Sequence, residues 1–219
     1  LDELPETLDG TYERTLLGIN RQTWGYARRL FQCIAISIRP LHVEELAELF
    51  AVLPDLETTP GFNIGWRPED PEEFILSTCS TLVAIVDVEG EKEKVVQFTH
   101  FSVREYLTSD RIANSASASH FHILPKPAHT LLARACLGVL LRLDDSTQAD
   151  GVKIIQNFPL ALYAGENWVN HAQFEDVSSD IQDEMDCLFD RNKPHWAAWH
   201  WLYDIEERWI RYPLSHRTA

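Results

Sequence analysis

The chain has 219 residues, and its 34 acidic side chains against 19 basic ones give a formal charge of -15. That balance argues against a nucleic acid or an anionic membrane surface as the main partner, because both affinities come largely from lysine and arginine meeting phosphates. An apolar share of 45% with seven tryptophans excludes a disordered segment, and the length suits one or two compact units.

The best apolar run, Leu131 to Leu141, is too short to span a membrane and carries Arg134. The first residue is Leu1, and the residues after it are acidic, so the chain reads as a piece excised from something longer, without a signal peptide. Cys33, Cys79, Cys136 and Cys187 form no C-x-x-C pair and there is no Asn-x-Ser/Thr sequon, which fits a cytoplasmic protein whose thiols are small buried apolar groups.

Tyr12, Leu16 and Ile19 recur at helical spacing after Asp9, which predicts a first short helix capped by that aspartate. Trp24, Ala27, Phe31, Ile34 and Ile38 mark one face of a second helix, ended by Pro40. After a tight turn, Val43, Leu46, Ala47, Leu49, Phe50 and Leu53 form the face of a helix packed on the second as a corner. Prolines and glycines between Pro54 and Pro68 predict an exposed loop. Asp70-Pro71-Glu72-Glu73 then opens a helix running to about Cys79, with a capping carboxylate and a proline where no donor is needed. The β-rich runs Leu82 to Val86 and Val95 to Thr99 flank the charged turn Glu89-Gly90-Glu91-Lys92 and predict a hairpin. Three helices and a hairpin are the order of a winged-helix domain, and a further helix follows with Val103, Tyr106 and Leu107 on one side.

The small-residue run Ser115 to Ser119 suggests a domain boundary with a separate second core beyond it. Prolines at Pro127, Pro159 and Pro194 introduce apolar-periodic runs, predicting helices over roughly 127–142, 159–173, 177–190 and 194–210. The expected fold is therefore mainly α: a winged-helix domain, three helices plus a β-hairpin, followed by an α-helical bundle or arm. The divisions expected are a linker helix over 1–20, the winged helix over 21–114 and the arm over 115–219.

Several strings carry a family resemblance. Leu4-Pro5-Glu6-Thr7-Leu8-Asp9-Gly10-Thr11-Tyr12-Glu13-Arg14 resembles the linker after the nucleotide-binding core of fungal NACHT proteins, members of the STAND class of signalling ATPases, many of which continue into ankyrin repeats. Ser37-Ile38-Arg39-Pro40-Leu41, the block Phe98-Thr99-His100-Phe101-Ser102-Val103-Arg104-Glu105-Tyr106-Leu107, and Phe158-Pro159-Leu160 leading to Tyr163-Ala164 and Trp168-Val169-Asn170-His171-Ala172 agree with it in order. The resemblance implies a non-catalytic regulatory and scaffolding segment between a nucleotide-binding core and a C-terminal repeat domain, forming homo-oligomers on activation. It also implies that His100 contacts the phosphates of ADP bound in that core. The bland alternative is that His100 caps or packs under the next helix. ADP or ATP would belong to the parent protein, since none of the nine glycines precedes a lysine as a P-loop requires. No cofactor is expected in this segment itself.

No catalytic constellation or metal-ligand spacing is expected: the serines lack a nucleophile-elbow frame, and His120, His122, His129, His195 and His200 repeat no H-E-x-x-H logic. The predicted third helix carries Glu72 and Glu73 and no basic residue, which disfavours DNA. The acid-rich stretch from Asp144 to Asp190 reads as a solvated face or a surface for a basic partner. In the last helix Trp196, Trp199 and Tyr203 share a helical stripe expected to be buried, with Trp201 pointing elsewhere. Trp199, Trp201 and Trp209 are the expected interaction residues, docking on a following repeat, the alternative being burial wholly inside this bundle. The competing reading is a stand-alone protein-interaction module without nucleotide coupling.

Overall fold

A computed structural model describes residues 8–52, 67–88, 93–143, 154 and 156–203. Helix α1 (Leu8–Leu17) leads through a 3-10 turn (Arg21–Thr23) into α2 (Trp24–Ile36), strand β1 (Leu41–His42) and α3 (Val43–Val52). Then come α4 (Pro71–Cys79), β2 (Val83–Asp87), β3 (Lys94–Phe98), α5 (Phe101–Leu107) and α6 (Asp110–Ala113). A 3-10 turn (Ser119–Phe121) precedes α7 (Pro125–Leu140), and α8 (Ala161–Ala172), α9 (Val177–Asp180), α10 (Gln182–Leu188) and α11 (Pro194–Tyr203) complete the described elements.

The mainly helical, winged-helix reading holds. Asp70 accepts from the Glu73 N–H at 2.9 Å and Pro71 takes the first position of α4, as the sequence pattern requires. The hairpin pairs Val83 with Phe98 and Asp87 with Lys94. The turn expected between α2 and α3 does more than turn: Leu41 and His42 pair with Val96 and Val95, adding a third antiparallel strand in the order β1-β3-β2. Most of the expected loop over 54–68, and the hairpin turn over 89–92, lie outside the described residues.

Several boundaries differ. Helix α2 stops at Ile36, and Ile38, expected on its buried face, is 53% exposed. Ser37 is already extended, and the Ile38 N–H donates to the Tyr163 hydroxyl at 3.1 Å rather than continuing the helix. Helix α7 begins at Pro125, one proline earlier than expected. The single helix expected over 177–190 is broken into α9 and α10 at Ile181, which is fully buried with non-helical backbone angles.

One apolar cluster runs from Tyr12 to Leu202, so the two expected cores are one. The reason is α7, which is buried nearly all round and packs on α2 and α3 as well as on α8, α10 and α11. A helix apolar on every side needs neighbours on every side. The small-residue run is likewise packed down: Ala118 is buried, and Ser115 and Ser117 both donate to Glu13 Oε1 at 2.6 Å.

The last helix reverses an expectation. Its buried positions are His195, Ala198 and Leu202, one residue out of phase with the Trp196–Trp199–Tyr203 stripe, and Tyr203 is 52% exposed. Helix α11 approaches α8 closely: a Cβ on Gly165 would stand 3.2 Å from Leu202 Cβ. The missing side chain at Gly165 gives Leu202 its place at the contact, and Trp199 packs beside it against the core.

Candidate functional site

Strand β3 ends where Thr99 bonds back to Leu82 O at 3.0 Å, and the chain enters α5 through His100 in an extended conformation. The imidazole caps this helix, with Nδ1 accepting from the Ser102 N–H at 3.2 Å. The Ser102 hydroxyl lies 2.6 Å from the same nitrogen and 2.6 Å from the Tyr12 hydroxyl of α1. A nitrogen that accepts carries no proton, so the neutral ring bears its proton on Nε2. The consistent chain is Tyr12 O–H donating to Ser102 Oγ and Ser102 O–H donating to His100 Nδ1. His100 is exposed, its ring centroid 4.4 Å from that of Phe101, which is 69% exposed. The capping role weighed as the alternative is thus real, and it leaves an N–H donor for something else. The sequence held no sign of the Tyr12 link, which joins residues 90 apart.

A buried polar network joins the winged helix to the helices beyond it. Arg39 holds Glu45 through two bonds of 2.7 and 2.6 Å, and the His42 N–H donates to the same carboxylate at 2.8 Å. The Arg39 guanidinium lies 5.1 Å from the Tyr163 ring centre. Tyr163 OH is 2.8 Å from His171 Nε2, and His171 Nδ1 is 2.9 Å from His129 Nδ1. Because Tyr163 accepts from Ile38, the coherent order is Tyr163 donating to His171 and His171 donating to His129. Burial, then the neighbouring His129, pushes the His171 imidazole down to about 4, and burial pushes the Tyr163 phenol up. Such a network orders structure: its one ion pair is internally matched, and its two histidines and tyrosine bond to one another.

The remaining candidates are placed as follows. Trp199 is half-buried among Trp168, Phe189 and Trp196 at ring distances of 5.9, 5.8 and 5.5 Å. The Trp168 and Trp199 indole nitrogens are buried without a hydrogen-bond partner among the described residues. Trp201 lies on α11, but its side chain and the whole of Trp209 lie outside the described residues. Three cysteines are buried, whereas Cys187, expected inside with them, is exposed. The acid-rich face is partly tied down, with Lys126 3.4 Å from Asp180 and Arg134 3.5 Å from Glu184; its residues 144–153 are not described. Wing residue Lys94 is held by Glu72 of α4 at 2.7 and 2.9 Å. Among the described residues no group of three or more His, Cys, Asp or Glu is placed to hold a metal, and no helix is long and apolar enough to cross a membrane.

The family model described as GPI inositol-deacylase, winged helix domain, matches residues 12–123, from the residue that supports the Ser102–His100 cap to the end of the segment entering α7. The chain is 31% identical over 219 residues, 98% of its length, to a Monascus ruber protein named azaphilone pigments biosynthesis cluster protein L. It spans 45% of that relative's length. No solved structure matches.

Proposed function

The chain belongs to this winged-helix family, and from that premise we propose that it is the non-catalytic regulatory and scaffolding segment of a NACHT-type signalling ATPase, coupling nucleotide state to a C-terminal repeat array. The observation that carries this reading is the exposed His100 ring, whose Nε2–H is set by Ser102 and through it by Tyr12 on α1. One imidazole N–H fits a single contact to a phosphate oxygen of ADP. The phosphates themselves would be held by a neighbouring core, since no Gly-Lys turn occurs in this chain. The Tyr12 link gives the contact a mechanical consequence: a shift of α1 against α5 breaks the bond that orients the donor.

This reading makes the segment itself no enzyme, places it in the cytoplasm, and gives it the nucleotide-binding core, the repeat domain and further copies of itself as partners. Nucleic acid is not a partner, with Lys94 already engaged by an acid of the helix that would enter the groove. The second reading, a stand-alone interaction module, has the aromatic rim of Phe189 and Tyr203 in its favour, exposed by 44% and 52%.

The test is a pair of substitutions in a protein carrying this segment behind its nucleotide-binding core. His100→Ser keeps a capping oxygen but loses Nε2–H, while His100→Leu loses both. Both should release ADP and favour oligomers, and only the leucine variant should lower the melting temperature of the 219-residue chain, by the ~0.5–2 kcal/mol of a lost cap. Unchanged ADP retention in His100→Ser would leave the residue a cap alone.

A further inference from the structure

We infer that the face formed by Arg21, Trp24, Arg28 and His120 is a docking surface for an acidic polypeptide. Charge is unevenly distributed along the chain. Residues 14–43 and 111–143 hold nine of the 19 basic side chains and none of the 34 acidic ones. At the chain's average acid frequency those 63 residues would carry about ten, so acids are kept out of both stretches.

Folding brings Trp24 of the first stretch against His120 of the second, and four of the nine cations pair with acids from outside the two stretches. Arg39 pairs with Glu45, Arg111 with Asp9, Lys126 with Asp180 and Arg134 with Glu184. Arg21 and Arg28 have no carboxylate among the described residues, and the buried Arg28 Nε has no hydrogen-bond partner there. Arg21 borders the Trp24 indole, and Arg28 is close enough to His120, which stacks on that indole, to act on its charge. The Arg21 guanidinium lies 5.5 Å from the Trp24 ring, and the His120 ring lies 5.5 Å from it at 28° to its plane.

The platform is held firmly. The Trp24 Nε1–H donates to Ile19 O at 2.9 Å, and its ring meets buried Phe121 edge-on at 5.2 Å. His120 is held below the ordinary histidine range by burial and then by Arg28. A half-exposed tryptophan with Arg21 over its ring and Arg28 near the His120 stacked on it, neither arginine met by a carboxylate among the described residues, has the composition of a protein-binding hot spot. One cation lies over the indole and the other beside the imidazole stacked on it, and carboxylates spaced along a peptide match that layout better than a compact phosphate does. The remote acids of this chain do not forbid the approach of an acidic partner, because charges beyond ~8 Å are screened at physiological ionic strength.

The probe is a fluorescein-labelled decaglutamate peptide, read by anisotropy against the 219-residue chain at low and physiological salt, with the His120 ring followed by NMR. Binding that weakens with salt, moves the His120 resonances, drops at least tenfold in the Arg21→Gln/Arg28→Gln double variant and survives Arg104→Gln supports the surface. Three results overturn it: absence of binding, binding indifferent to the double variant, or displacement of the peptide by inorganic phosphate or ADP at lower concentration than by unlabelled decaglutamate, which would mark a phosphate site.

Discussion

Glu48 and Leu160 are 112 residues apart, yet the fully buried Glu48 carboxylate accepts the Leu160 backbone N–H at 2.6 Å. The other carboxylate oxygen receives Arg67, which also donates to Asn157 O. One acid on α3 thereby organises the entry to α8. Burial raises its pKa, against the Leu160 N–H and Arg67, which lower it.

Glu48→Ala should cost about 3–5 kcal/mol in denaturant unfolding, since it strands a buried N–H and a partly buried guanidinium. Glu48→Gln keeps an acceptor for Leu160 and should cost less. The sign of the pH effect follows from the raised pKa: the contribution of Glu48 is complete below its unfolded value of 4.5 and is lost as pH rises through the folded value. The glutamine variant should lack that component, and melts between pH 4.5 and neutrality measure it.

The histidine network acts in the opposite sense. His171 falls from an ordinary 6.5 to about 4, so its contribution is complete above pH 6.5 and is lost as pH falls through about 4. A shift of that size corresponds to roughly 3 kcal/mol. Wild-type stability should decline over this window, and His171→Phe should flatten the decline while lowering stability at pH 7 by leaving Tyr163 without its acceptor. Nitrogen NMR should find His171 protonated on Nδ1 at neutral pH; a proton on Nε2 would contradict the order of donors.

Gly165 sets the approach of α8 and α11. A Cβ there meets Leu202 Cβ at 3.2 Å, slightly tight, while alanine gains about 1 kcal/mol of helix propensity. Gly165→Ala should therefore stay within about 1 kcal/mol of wild type. Gly165→Val adds branches that cannot be accommodated and should cost about 1–3 kcal/mol, with a change in tryptophan fluorescence from the displaced Trp168–Trp199 pair.

Asp176 enters α9 with a φ of 49°, the one non-glycine residue at positive φ among the described residues. Its left-handed conformation is tolerated by aspartate and costs a β-branched residue more. Asp176→Gly should stabilise the chain by roughly 0.5–1 kcal/mol in thermal melts, and Asp176→Val should destabilise it.

What was legible from the sequence is what depends on near neighbours. Asp70 followed by Pro71 specified the start of α4, the two β-rich runs around a glycine turn specified the hairpin, and the spacing of Val103, Tyr106 and Leu107 marked the inner face of α5. Each is a local backbone or periodicity effect, and each is seen in the fold. His100 was singled out by its place in a string of residues rather than by its surroundings.

The tertiary structure decided everything that depends on contact between distant segments. Periodicity could not say that α7 is covered on both sides and merges two cores into one, because an apolar stripe does not name its partner. Nor could it phase α11, where Leu202 meets Gly165 and the buried positions are His195, Ala198 and Leu202 rather than the tryptophan stripe. Periodicity leaves Glu48 off the apolar face of α3, yet the Leu160 N–H and Arg67 meet it inside. Tyr12 reaches the His100 cap through Ser102 across 90 residues of chain. Helix and turn signals act over a few residues, whereas the pairing of buried polar groups is settled only when the whole chain has closed around them.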